Sequence, residues 1–203
     1  MLYLTRYNIY AVNKLAKFSH NPGTVHFRAL LHLIGFLKNT SYKGLKFFSD
    51  LKKSHVYKLL NSNNIKTTED SVIIFSDSSW NDCIDTGRST GVYISFNQGG
   101  PADYGSHIPV PVVISNGEAE YISAAVACMR VSHLRMIIYD LRCMGSDNYD
   151  QDNVNMEHAR IIIDNEAAIS MEKCNKDCTG IRHIARRYHY VQQGRALKEH
   201  KLE

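Results

Sequence analysis

The sequence predicts a mixed α/β fold, a sheet flanked by helices and preceded by a small basic helical hairpin, and three observations carry that prediction. Apolar runs of strand length recur at 72–76, 91–96 and 110–114, ahead of one long helical stretch from about 117 to 141. A fourth apolar run at 160–163 is followed by two more helical stretches, 165–173 and 182–197. Three strands, then helix, strand and helix describe an antiparallel start followed by a parallel crossover. The third observation is a break in charge: from Met1 to Lys66 there are eleven Lys or Arg against a single acid, Asp50.

In the first segment Ile9, Val12, Leu15 and Ala16 fall at helical spacing, Asn21-Pro22-Gly23 interrupts, and Thr24 can cap a second helix carrying Phe27, Leu30, Leu31, Ile34 and Leu37. After Gly44 two short apolar runs, 45–48 and 56–60, read as strands, and the polar stretch 61–70 as a linker. A division into 1–67 and 68–203 follows. With 203 residues and 44% hydrophobic content, the chain can bury an ordinary core. It carries no secretory layout at its N-terminus and no run of about 18 apolar residues, so the reading includes no membrane. Five scattered cysteines fit a reducing compartment, and Cys174 and Cys178, the close pair, lack the second pair a zinc site needs. Basic residues return at Arg182, Arg186, Arg187 and Arg195, so both ends suit a polyanionic partner, or equally a solvated face.

Acidic residues sit where the fold can gather them. Asp77 follows Val-Ile-Ile-Phe-Ser and Asp164 follows Ile-Ile-Ile, so each emerges at the carboxyl side of a strand; parallel neighbours would aim both into one crevice. Glu118 and Glu120 open the long helix. Taken singly, each acid reads as a strand stop or a helix cap. Gathered, they repel unless cations hold them, and hard oxygen ligands select magnesium or manganese. Such a cluster suits a two-metal cut of a phosphodiester.

Five ordered motifs then carry a resemblance: Ile-Ile-Phe-Ser-Asp-Ser-Ser-Trp-Asn-Asp (73–82), Thr-Gly-Arg-Ser-Thr-Gly (86–91), Ser-Asn-Gly-Glu-Ala-Glu-Tyr (115–121), Ile-Asp-Asn-Glu-Ala-Ala-Ile (163–169) and Arg-His-Ile-Ala-Arg-Arg-Tyr-His-Tyr-Val (182–191). Together they resemble the ribonuclease H domain of copia-type retrotransposon polyproteins. Upstream, Ile-Tyr-Ala-Val-Asn-Lys-Leu-Ala-Lys-Phe (9–18) with Asn-Pro-Gly is similar to the segment that joins this domain to the reverse transcriptase. The resemblance implies a ribonuclease H-like fold, a five-stranded mixed sheet flanked by helices. It also implies a nuclease that cleaves the RNA strand of an RNA–DNA hybrid with two divalent ions. The implied partners are that hybrid and the reverse transcriptase region of the same polyprotein, inside the cell in a retroelement particle. Asp77, Glu120 and Asp164 match the first three catalytic and metal-binding carboxylates, with Glu120 favoured over Glu118 by its place before Tyr121. Arg88 and Ser89 match a turn signature that shapes the loop or touches phosphate. Arg182, Arg186 and Arg187 match the last basic helix and can contact phosphate; His183, His189 and Trp80 are weaker candidates, the histidines more often solvated or capping residues and Trp80 more often a packing residue.

The departures set the alternative. Ala185 stands where many relatives have Asp, Arg6-Tyr7-Asn8 stands for Arg-Pro-Asp, and no polymerase or integrase motif is present. The family continues past the position of Glu203 into a last strand and an Ala-Asp that supplies the fourth carboxylate. The sequence therefore predicts a missing edge strand and one missing ligand. The second reading is a catalytically silent fragment that only binds nucleic acid through its basic helices.

Overall fold

A five-stranded mixed sheet carries the fold, and its order, β3-β2-β1-β4-β5, places the first strand in the middle. The computed structural model describes residues 2–48, 50–65, 68, 71–83, 85–109, 113–144, 158–173, 185–197 and 200–202. β1 (Ile73–Ser79) pairs antiparallel with β2 (Thr90–Asn97), and β3 (Gly100–His107) continues this meander at one edge. On the other side β4 (Ala159–Ile162) lies parallel to β1, and β5 (His200–Leu202) lies parallel to β4. The antiparallel start and the parallel crossover are those predicted from the order of apolar runs.

Two strands correct the sequence reading. The third lies at Gly100–His107 and not at 110–114. Gln98 and Gly99 both adopt positive φ, 51° and 66°, which makes a two-residue reversal whose twist matches that of the strands. Gly-Pro-Ala-Asp-Tyr-Gly-Ser-His shows no apolar alternation because β3 is an edge strand of mostly intermediate exposure, where Pro101 is also tolerated. Of the expected run, 110–112 lie outside the described residues, while Val113 is buried in the loop before the long helix and Ile114 is exposed. The edge strand expected to be missing is present as β5, where Leu202 pairs with Ile161 and both are buried.

The long helix α4 (Asn116–Met144) covers one face of the sheet. Ser115 starts it by accepting the Glu118 N–H at 3.2 Å, and Glu118 reaches back to accept the Ile114 N–H at 2.8 Å. Its small residues, Ala119, Ala124, Ala125 and Ala127, let the backbone approach the sheet while Tyr121, Ile122 and Val131 fill the core with Ile74 and Ile161. By length and composition alone α4 could cross a bilayer, but its apolar side is spent on this core. α5 (Glu166–Lys173) begins on Asn165, whose Oδ1 accepts the N–H groups of Ala167 and Ala168. α6 (Ala185–Ala196) buries Val191 and donates the Tyr190 hydroxyl to Ser132 Oγ.

The predicted hairpin is helical: α1 (Leu2–Ala16) and α2 (Thr24–Asn39). Gly23, not Thr24, takes the capping position, with its N–H donated to His26 Nδ1 at 2.9 Å, and the His26 ring stacks on Phe18. The two short runs read as strands are not strands. Residues 45–48 are irregular, tied to the hairpin turn by Phe48 N–H to Gln98 O, and the second run lies in a helix, α3 (His55–Ser62), that buries Leu60. Four apolar residues broken by Lys58 fit either period, and the 3.6-residue one wins where Leu60 is buried.

Asp82, on the turn after β1, fastens α1 to the sheet. Its carboxylate accepts hydrogen bonds from Lys14 Nζ, from the Tyr10 hydroxyl at 2.9 Å and from Thr90 Oγ1 at 3.2 Å, with Lys17 Nζ at 3.8 Å. Asn13 adds a bond to Ser106 Oγ on β3. Burial alone would push the Asp82 carboxyl up, but hydrogen bonds from Lys14 and Tyr10 outweigh it and hold it below the usual carboxylate range. A depressed carboxyl contributes stability that is present above its unfolded value of about 3.9 and is lost as pH falls through the folded value. Asp82→Asn is expected to cost about 1.5 kcal/mol in urea denaturation at pH 7, near the low end for bonds to a charged group because Lys14 is partly exposed. The difference from wild type is expected to close in acid below about pH 4.

Candidate metal centre

Strand register brings the first two acids together. Phe75 pairs with Ile162 across the parallel β1–β4 ladder, and Asp77 and Asp164 each lie two residues further on (75 + 2 and 162 + 2), side by side at the carboxyl ends of adjacent strands. Asp164 also directly precedes the α5 cap Asn165, so the chain turns away just after presenting it.

Glu120 arrives from the facing helix, and a buried polar latch sets its height. Ser123 is fully buried; its hydroxyl lies 2.9 Å from Ser76 Oγ and donates to the Asp77 carbonyl at 3.0 Å. Gly91 makes room for this contact, since a Cβ there would sit 2.9 Å from Ser123 Oγ. Three residues earlier on α4, Glu120 Oε1 accepts the Ser78 N–H at 3.2 Å. Asp77, Glu120 and Asp164 each then offer an oxygen within 4.8 Å of the others, with Glu120 buried and the two aspartates open to solvent.

The electrostatics are those of a site short of positive charge. Burial, joined by the Asp164 charge, pushes the Asp77 carboxyl above its ordinary range, against a pull from the Ser78 amide. Burial likewise raises Glu120, with hydrogen bonding from Ser78 opposing and the charges of Asp77 and Asp164 adding to the rise. Among the described residues, Glu120 Oε2 is buried with no hydrogen-bond partner. An acceptor left bare in this way is costly unless something cationic meets it, so the donor set fits a hard divalent ion.

The remaining sequence candidates fall into three groups. Glu118 is buried and spent on the α4 start, which separates its structural role from that of Glu120. Ser89 is buried, its hydroxyl accepting the Asn81 N–H, so it shapes the turn; Arg88 is exposed beside it, with its carbonyl accepting the Cys83 N–H. Trp80 is half exposed and donates Nε1 to the Val113 carbonyl, which holds the loop ahead of α4. Arg182 and His183 lie outside the described residues, as do Cys174 and Cys178; Arg186, Arg187 and His189 lie on α6, their side chains outside what is described. Sequence reasoning missed Ser78, Ser123 and Asp82. A serine one turn beyond Glu120 in an alanine-rich face was the available signal for Ser123.

No protein-family model matches the sequence. The chain is 26% identical over 184 residues to a retrovirus-related Pol polyprotein from transposon RE2 of Arabidopsis thaliana, a match over 90% of this chain and 11% of that protein. It thus spans about a tenth of the length of that relative. Among solved structures it is similar to the ribonuclease H1 of the archaeon Halobacterium salinarum NRC-1 (TM-score 0.42, 11% identity, 65% of this chain and 82% of that one). It is also similar to LC11-RNase H1 in complex with an RNA/DNA hybrid (TM-score 0.41, 14% identity, 66% and 83%).

Raised carboxyls favour the fold below their unfolded values of about 4, and that contribution is lost as pH rises through the folded values, so at neutral pH the ion-free cluster opposes folding. Divalent ions are therefore expected to raise the melting temperature, by about 2.7 kcal/mol of stability at a hundredfold excess over Kd. Thermal melts in manganese and in chelator check this. In Asp77→Asn the ion effect is expected to shrink strongly while the ion-free protein melts higher than wild type.

Proposed function

We propose that this chain is the ribonuclease H-type nuclease domain of a retrotransposon polyprotein, hydrolysing the RNA strand of an RNA–DNA hybrid with magnesium or manganese. The observation that carries the reading is the bare, buried Glu120 Oε2 inside a trio of carboxylates drawn to within 4.8 Å, a cluster built to be neutralised by cations. The similarity to a transposon Pol polyprotein over nearly the whole chain supports the same reading from an independent side.

In this reading Asp77 and Asp164 present open carboxylates to the incoming phosphodiester, and Glu120, fixed by the Ser78 amide, closes the inner side of the cluster. Divalent ions held by Asp77, Glu120 and Asp164 would supply Lewis acidity for activating water and for offsetting charge on the leaving oxygen. The protein's own contribution is placement: rigid strands, a latched helix and no nucleophilic side chain. Arg88, with Arg182, Arg186 and Arg187, would neutralise backbone phosphates and so set affinity more than chemistry. The other parts of the polyprotein, including its reverse transcriptase region, are the proposed covalent neighbours, and the interior of the cell the proposed setting.

A silent nucleic-acid-binding fragment is the second reading, favoured by one observation: the acidic group found among the described residues holds three carboxylates, not four. Cleavage of a labelled RNA–DNA hybrid separates the two. Magnesium- or manganese-dependent cutting is expected, with Asp77→Asn lowering the rate by about a thousandfold or more and leaving hybrid affinity within about twofold, because metal chemistry and backbone electrostatics are separate contributions. Salt-sensitive binding with no metal-dependent product would establish the silent reading instead.

A further inference from the structure

Asp77 faces two ways. Along β1, Ser76 meets α4 through Ser123, so its neighbours Phe75 and Asp77 belong to the opposite face of the sheet. On that face α1 roofs a cavity of about 300 Å3 walled by Ile9 and Tyr10 from the helix and by Phe75, Val92 and Tyr104 from the strands, with Asp77 among its lining. Apart from this carboxylate and the tyrosine hydroxyls, those walls are hydrocarbon. The Tyr10 hydroxyl is turned to Asp82, leaving its ring to the cavity.

We propose that this cavity is a nucleoside subsite, receiving the sugar and base of one nucleotide whose phosphate lies at the carboxylate cluster. The inference rests on the metal-centre reading and adds a ligand to it. Sharing Asp77 places the cavity one group away from any phosphate the cluster holds. Aromatic and branched aliphatic walls suit a flat π-face, which every base offers. The volume is at the small end for ligand pockets, of about 300–1,000 Å3, which suits a single nucleoside and not a stacked pair. The roof is preformed, because the bonds from Lys14 and Tyr10 to Asp82 hold α1 in place. In a hybrid the nucleotide must leave its stack to enter, which is least costly at a strand end or a bulge.

The test compares uridine 5′-monophosphate with ribose 5-phosphate by calorimetry on the full chain in manganese, after manganese uptake has been measured by electron paramagnetic resonance. The monophosphate is expected to bind about tenfold or more tightly than the sugar phosphate, the base contributing through stacking. Ile9→Trp, which fills the cavity from the helix side, is expected to erase that difference while leaving manganese uptake and circular dichroism unchanged. Tyr104→Ala, on the edge strand, removes a wall by a different route and is expected to shrink the difference, so the outcome does not hang on one variant folding. Equal affinities in the wild type, or a preference that both folded variants keep, overturn the subsite while leaving the metal centre standing. No manganese uptake at all would overturn the metal centre, and the subsite with it.

Discussion

Everything at the candidate site depends on the register of the parallel β1–β4 pairing. Phe75 opposite Ile162 fixes Asp77 opposite Asp164 two residues later. A slip of one residue would send Asp164 to the other face of the sheet, because side chains alternate with a period of two. The register is held by apolar residues that have no chemical role: Ile74 and Ile161, paired across the ladder and fully buried, pack with Tyr121 and Ile122 of α4. The third carboxylate depends on a different restraint, the height of α4 over β1, and that is set by polar contacts. Ser123 bridges Ser76 and the Asp77 carbonyl, and Glu120 takes the Ser78 amide. A core of alanines would let the helix slide; directional bonds from two residues one turn apart do not.

The same arrangement explains why the cluster is tolerated without ions. Burial and mutual repulsion work against ionised Asp77 and Glu120, yet the sheet and α4 form a continuous apolar core that includes Val72, Val131, Val191 and Leu202. Local opposition is offset by packing elsewhere, the usual division between a functional site and the scaffold that carries it. Asp82 is the counterpoint, a carboxylate on the same connection whose cations are present in the fold. Five residues apart in sequence, Asp77 is left for a ligand and Asp82 is already satisfied by Lys14 and Tyr10.

Much of this could be read in the residues. Asp77 and Asp164 were legible because each follows a largely apolar run, and an acid at such a place emerges toward the carboxyl side of a strand whichever fold surrounds it. The long helix was legible from about 117 with Glu118 and Glu120 at its opening, and the family motif selected Glu120, which the hydrogen bonds of Glu118 to the helix start make intelligible. β3 was illegible because an edge strand has no need of alternation, and its signal lay in the Gln98-Gly99 reversal instead. α3 was taken for a strand because a run as short as 56–60 carries either period. β5 escaped notice because three residues hold no pattern; only the burial of Leu202 reveals it. The Asp82 fastening, with partners about seventy residues away in sequence, has no local signature at all.

The central claim is that Asp77, Glu120 and Asp164 exist to hold divalent cations. The most direct measurement is anomalous diffraction from crystals of the chain grown in manganese. The account predicts an anomalous peak among the three carboxylates, with Glu120 Oε2, bare in the ion-free fold, turned onto the ion. Manganese bound only elsewhere, or a cluster empty at saturating manganese with Glu120 Oε2 met by a protein donor instead, would contradict it.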